Sequence, residues 1–98
     1  MSNLKISLLV EVRVKAEYLD EVKALCAATL IPTLTEPGCE VFYQTSKQGD
    51  PTMLVFFEVF VSKEAFDQHL EAPYTKAFFA GIQGKLADKP VSTLLQKL

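Results

Sequence analysis

Three side chains in the second half of the chain could carry acid–base chemistry: Glu58, His69 and Tyr74. His69 is the single histidine. Because neutral imidazoles titrate near neutral pH, they can take a proton from a phenol or quinol. The hydroxyl of Tyr74, five residues later, could hold a substrate oxygen. We predict a base at His69 and an orienting group at Tyr74. The alternatives are a histidine bonded to a backbone carbonyl and a packing tyrosine with its hydroxyl in water.

Glu58 interrupts an apolar run that contains Leu54, Phe56 and Phe60. A carboxylate in apolar surroundings is costly unless it is paired or lines a wet pocket. Burial would raise its pKa and allow it to act as an acid or a base. The alternative is an ion pair across a subunit interface, for example with Arg13.

Phenylalanines surround these three positions in the sequence. Aromatic side chains would suit a pocket for a flat phenolic ligand, while core and interface packing is the simpler interpretation for most of them. The predicted substrate-contacting residues are Phe56, Phe60, Phe66 and Phe79.

Length and composition narrow the possible partners. The 98 residues are expected to form one domain, residues 1–98. The net charge is −2 and there is no basic run, so nucleic acid is not expected as a partner. No apolar run is long enough for a membrane span, and no signal-like segment is visible, which favours the cytoplasm. The 49% of hydrophobic residues suggests that a second subunit covers some apolar faces.

The first half of the chain alternates between strand-like and helix-like patterns. Apolar residues at every second position predict a strand from about Lys5 to Val14, and helical spacing follows it. Pro32 is expected to distort or end this helix, and Pro37-Gly38 to form the next turn. Two β-rich runs then flank Gly49-Asp50-Pro51, which predicts a hairpin.

The second half is predicted to contain two helices and a last strand. Ser62 is expected to cap a helix that breaks near Pro73. A further helix is predicted from about Tyr74 to Leu86, with Pro90 before a final strand. The order βαββαβ predicts an α+β, ferredoxin-like fold with an antiparallel sheet.

The strand predicted from Thr52 to Val61 is apolar on both faces. Such a strand is typically central and covered on both sides. Helices can cover one side, and a second subunit is the natural cover for the other.

The two cysteines, Cys26 and Cys39, lack CxxC spacing. Together with one histidine they are too few for a typical zinc site. We therefore predict no metal ligands in this chain.

The stretch EVFVSKEAFDQHLEAPY, residues 58–74, and the EPGC turn at residues 36–39 resemble the antibiotic biosynthesis monooxygenase family, and in particular its quinol monooxygenase-like members. The resemblance covers essentially the whole chain. It implies a homodimeric α+β barrel with a pocket between sheet and helices. It also implies oxidation of a quinol or polyphenol by O2, without flavin, haem or metal.

Other activities occur in the same family, so alternatives remain. One branch acts as an isomerase, which leaves open isomerisation or other pocket chemistry on a small oxygenated metabolite. A non-catalytic small-molecule-binding or interaction protein is a further alternative. The haem-degrading branch fits poorly, because its functional positions fall on Val12, His69 and Phe79 and all three residue types differ from that branch.

Overall fold

The computed structural model describes residues 4–98 and contains four strands and three α-helices in that range. A short 3-10 turn, Ala16–Tyr18, leads into the first helix. The elements are β1 Ile6–Arg13, α1 Leu19–Leu34, β2 Cys39–Lys47, β3 Asp50–Phe60, α2 Lys63–Glu71, α3 Pro73–Gly81 and β4 Val91–Leu95. This order confirms the predicted α+β class.

The four strands form one antiparallel sheet in the order β2-β3-β1-β4. The two central strands, β1 and β3, lie side by side although α1 and β2 separate them along the chain. This is the ferredoxin-like arrangement that the element order predicted.

The break between α2 and α3 follows directly from local sequence. The Ser62 hydroxyl accepts a hydrogen bond from the Ala65 amide at 3.1 Å, which confirms the predicted N-cap. Ala72 is extended, as expected before a proline, and Pro73 is the first residue of α3. The chain therefore changes direction between His69 and Tyr74.

The predicted end of the last helix is wrong. The helix stops at Gly81 rather than at Leu86, and Gly84 adopts a φ of 79° in the turn that follows. Leu86 instead forms an isolated antiparallel bridge with Val14. A side chain at Gly81 would lie 2.8 Å from the Leu25 methyl group, so glycine permits this close approach of α3 to α1.

The end of α1 and the hairpin turn differ slightly from their predicted positions. Pro32 does not end α1, which continues to Leu34. The hairpin is confirmed, but its turn is centred on Gln48 and Gly49, since Lys47 already pairs with Asp50. Gly49 supplies the positive φ, 79°, that a tight hairpin turn requires.

The sheet has two different faces. One face packs under the helices around a core formed by Val12, Val14, Val22, Cys26, Leu54, Phe56 and Ile82. Glu58 pairs with Leu8 across β3 and β1, so their side chains share one face of the sheet. Both residues are buried, which places them on the helix-covered face. On the other face Leu9 pairs with Phe57, and Phe57 pairs with Tyr43, whose side chain is 65% exposed. We call this second surface the open sheet face.

Across residues 4–98, none of the helices combines the length and apolar character needed to cross a bilayer.

Candidate active site

A cavity of about 120 Å³ lies between the helix-covered face of the sheet and the three helices. Its wall is mostly apolar, with a few polar side chains set into it. The lining residues are Leu8, Val10, Val12, Thr29, Gln44, Phe56, Glu58, Phe66, His69, Leu70, Thr75, Phe78, Phe79, Ile82, Pro90 and Ser92.

His69 projects from α2 into the cavity wall and is only 6% exposed. Its ring lies against Phe60, with centroids 4.9 Å apart, and against Phe42 at 5.6 Å. Its Nδ1 lies 2.9 Å from Oε2 of Glu36. A carboxylate can only accept, so Nδ1 must donate. Nε2, which bonds no protein atom of residues 4–98, is therefore the nitrogen that can serve a molecule in the cavity.

Tyr74 does not line the cavity. Its hydroxyl donates to the same Glu36 oxygen that accepts from His69. Burial, followed by the hydrogen bond to Glu36 and its charge, raises the pKa of Tyr74 to about 12. This placement differs from the prediction that the hydroxyl holds a substrate oxygen, because the carboxylate behind His69 already engages it.

Glu58 reaches the cavity from β3 and is 6% exposed. Burial, with a smaller contribution from the Glu36 charge, raises its pKa to about 7. Within one chain, Arg13 does not pair with Glu58; the alternative of a pair across a subunit interface stays a prediction. Arg13 pairs with Met53 on the opposite face of the sheet, where its guanidinium donates to Asp50 at 2.7 Å. Within the described chain, no side chain forms an ion pair with Glu58.

Three of the four predicted substrate-contacting phenylalanines, Phe56, Phe66 and Phe79, line the cavity. Phe60 does not line the cavity and is fully buried behind its wall. Its ring centroid lies 5.4 Å from that of Phe66, and its ring contacts the ring of His69. Phe78, which is not among the four predicted residues, also lines the cavity.

Sequence reasoning missed several polar groups at the site. Glu36 is the most important, and its signal was the EPGC turn, in which it is the first residue. Thr75 lines the cavity, and its buried Oγ1 has no hydrogen-bond partner among residues 4–98. The Gln44 amide donates to the Cys26 carbonyl at 2.9 Å and so ties β2 to α1 at the cavity edge. Thr75 and Gln44 carried no sequence signal, because only the fold directs them inward.

Among residues 4–98, no three histidine, cysteine, aspartate or glutamate side chains are arranged so that they could hold a metal ion.

The family model of antibiotic biosynthesis monooxygenases matches residues 5–81. The chain belongs to this family. The matched range includes Glu36, Glu58, His69 and Tyr74. It ends before β4, so the last strand is not part of the match.

The chain is similar in sequence to proteins from Synechocystis and Mycobacterium tuberculosis. An uncharacterised protein of Synechocystis is 29% identical over 87 residues, which is 89% of this chain and 58% of that protein. The chain thus spans less than two thirds of the Synechocystis protein. A protein of Mycobacterium tuberculosis, named as a proposed monooxygenase, is 34% identical over 71 residues, 72% of this chain and 68% of its own.

Solved structures show the same fold. The structure of the mycobacterial protein superimposes with a TM-score of 0.91, 23% identity and coverage of 97% of this chain and 96% of its own. A conserved protein from Methanosarcina mazei gives a TM-score of 0.90 at 24% identity, covering 98% and 95% of the two chains. At these identities the structural similarity supports the ferredoxin-like fold of the family and not a particular reaction.

Proposed function

We propose that the protein is a monooxygenase that oxidises a single-ring phenol or quinol with O2 and without flavin, haem or metal. The observation that carries the proposal is His69, whose Nδ1 is bound to Glu36 while its ring lines a small apolar cavity. The mycobacterial relative's name as a proposed monooxygenase supports the reaction class.

The size of the cavity supports a single-ring substrate. An engineered apolar protein cavity of about 150 Å³ binds benzene, and the cavity here is about 120 Å³. The walls offer the aromatic faces of Phe56, Phe66 and Phe78, which suit a flat ring.

The chemistry begins with the phenolic proton. Nε2 of His69 takes this proton, and the resulting phenolate is electron-rich enough to reduce O2 directly. A bond forms between a ring carbon and one oxygen atom. That carbon then loses its hydrogen as a proton, the C–H electron pair forms the new carbonyl, and the O–O bond breaks. The second oxygen atom leaves as water, and the ring, which has supplied the electrons, becomes a quinone: one phenol and one O2 give one quinone and one water.

The polar groups of the cavity have matching tasks in this scheme. Glu58, with a pKa of about 7, is partly protonated near neutral pH and can donate a proton to the departing oxygen. The Thr75 hydroxyl, which lacks a partner within the described residues, can bond a substrate oxygen. Tyr74 acts behind His69 rather than on the substrate.

The open sheet face supports a homodimer. Leu9, Phe57 and Tyr43 share this face, and Leu95 and Val91 of β4, which are 42% and 54% exposed, extend it. Apolar side chains concentrated on one uncovered sheet are typical of a surface that binds another protein. We propose a second copy of the chain as the cover, as the family resemblance implies.

Oxygen consumption by metal-free protein tests the proposed reaction. Substituted hydroquinones should support O2 uptake, and His69→Ala should lower the rate by about 10²-fold or more. Gln68→Ala, an exposed neighbour on α2, is the matched control and should retain the wild-type rate. The quinone product is followed by absorbance, and one atom of labelled oxygen should enter it.

Three other results would overturn the oxygenase proposal. Equal uptake by wild type and His69→Ala would remove His69 as the base. Product formation without O2 would favour an isomerase. Tight substrate binding with no turnover would favour a binding protein.

A further inference from the structure

We propose that Glu36 is a positioning residue that holds the proton of His69 on Nδ1, and that Tyr74 acts on the reaction only through Glu36. The catalytic meaning of this inference rests on the proposed function of His69 as a base. The arrangement itself is a property of the fold and can be measured without any substrate.

The arrangement joins three separate parts of the chain at one oxygen atom. Glu36 lies in the turn between α1 and β2, His69 in α2 and Tyr74 at the start of α3. They are 33 and 38 residues from Glu36, yet both donate to its Oε2. The Glu36 side chain is 17% exposed and forms no lysine or arginine ion pair within residues 4–98.

An acceptor at this position selects one form of the imidazole. In a neutral histidine one ring nitrogen donates and the other accepts, and the partner of one nitrogen determines the role of the other. Because the Glu36 carboxylate accepts from Nδ1, the lone pair is left on Nε2. A ring with its proton on Nδ1 can take a phenolic proton at Nε2. A ring with its proton on Nε2 cannot, because its lone pair then lies on Nδ1, which faces Glu36.

Tyr74 strengthens this selection from outside the cavity. With a pKa of about 12, its hydroxyl remains protonated at neutral pH and is a permanent donor to Glu36. The bond fixes the carboxylate so that its oxygen faces Nδ1 at 2.9 Å. Loss of the hydroxyl should leave the Glu36–His69 contact in place but less well oriented.

The other titratable groups around Glu36 respond to the same charge. On β3, burial and then Glu36 raise the pKa of Glu58 to about 7. At the start of β2, burial and then the charges of Glu36 and Glu58 raise the pKa of Cys39 to about 11. One carboxylate outside the cavity therefore directs the lone pair of the neutral His69 ring to Nε2 and disfavours ionisation of Glu58 inside the cavity.

Nitrogen NMR of histidine-labelled protein tests the arrangement directly, because the chain contains a single histidine and its two ring signals are unambiguous. Above the imidazole titration, wild type should show a protonated Nδ1 and an unprotonated Nε2. Glu36→Ala should abolish this preference, and Tyr74→Phe should retain it. Glu40→Gln, an exposed carboxylate bonded to Lys5, is the charge-matched control and should behave as wild type.

Kinetics supply a second, independent readout. Glu36→Ala should reduce kcat by roughly 10²-fold, and adding it to His69→Ala should cause little further loss, because both changes disable one unit. Tyr74→Phe should reduce kcat by about 3- to 10-fold, as expected for one lost hydrogen bond. Circular dichroism shows whether each variant is folded. If Glu36→Ala does not fold, Tyr74→Phe still tests the arrangement, because it removes only the hydroxyl and keeps the aromatic ring in place.

The two proposals fail in different ways. No O2 uptake by wild type, with the proton of His69 still on Nδ1, would remove the oxygenase and leave Glu36 as a positioning residue. A wild-type proton on Nε2, or nitrogen signals that do not change in Glu36→Ala, would overturn the role of Glu36 whatever the reaction.

Discussion

Replacing Glu58 by glutamine should make the protein more stable at alkaline pH. The side chain is 6% exposed, and its pKa rises from 4.5 to about 7 on folding, mainly through burial. Between these two pH values the folded protein binds more protons than the unfolded chain, so the free energy of unfolding falls as pH rises. The contribution of Glu58 is complete below pH 4.5 and is lost as pH rises through 7.

The size of the effect follows from the pKa difference. At about 1.4 kcal/mol per pKa unit, a rise from 4.5 to about 7 corresponds to roughly 3 kcal/mol. Glutamine has nearly the same shape and cannot ionise. Glu58→Gln should therefore match wild type at acid pH, where Glu58 is neutral, and exceed it by about 3 kcal/mol well above pH 7.

Urea unfolding followed by circular dichroism measures this difference at a series of pH values. The protein concentration must be equal for both proteins, since association would shift the apparent stability. Glu17→Gln, which removes an exposed carboxylate, controls for the change in net charge. A constant difference between Glu58→Gln and wild type from acid to alkaline pH would refute the reasoning, because it would mean that Glu58 ionises in the folded protein as it does in water.

Three further changes test packing, substrate contact and association. Gly38→Ala should lower the free energy of unfolding by about 1–3 kcal/mol, because the new Cβ would lie 2.4 Å from the Ala65 Cβ; an unchanged urea midpoint would contradict this. Thr75→Val should raise KM for phenols without loss of stability, since the buried hydroxyl has no partner within residues 4–98; an unchanged KM would exclude the contact. Phe57→Lys on the open sheet face should shift sedimentation toward a monomer, while Ala77→Lys on exposed α3 should not; a monomeric wild type would remove the proposed dimer.

The order of elements could be predicted because each depends on neighbouring residues. Alternation indicated the strands, Ser62 the start of α2, and Pro73 the break before α3, and the structure confirms all three. The end of α3 could not be predicted, because Leu86 follows a helical pattern but pairs with Val14, which is distant in sequence. A tertiary contact there outweighs the local preference.

Part of the candidate site could also be predicted from the sequence, and part could not. Sequence indicated that Glu58 sits in apolar surroundings and that His69 and Tyr74 lie on either side of a helix break. It could not show that Glu36 receives hydrogen bonds from both His69 and Tyr74.

The sequence by itself determined the element types, the strand order along the chain and the family resemblance, because these depend on residue type and short-range spacing. Tertiary structure alone decided that Tyr74 faces Glu36 instead of the cavity and that Phe60 lies behind His69. The physical reason is that a side chain's direction depends on how its helix or strand rotates against distant elements. The contact between Glu36 and His69 spans 33 residues and forms only when α2 packs against the turn after α1.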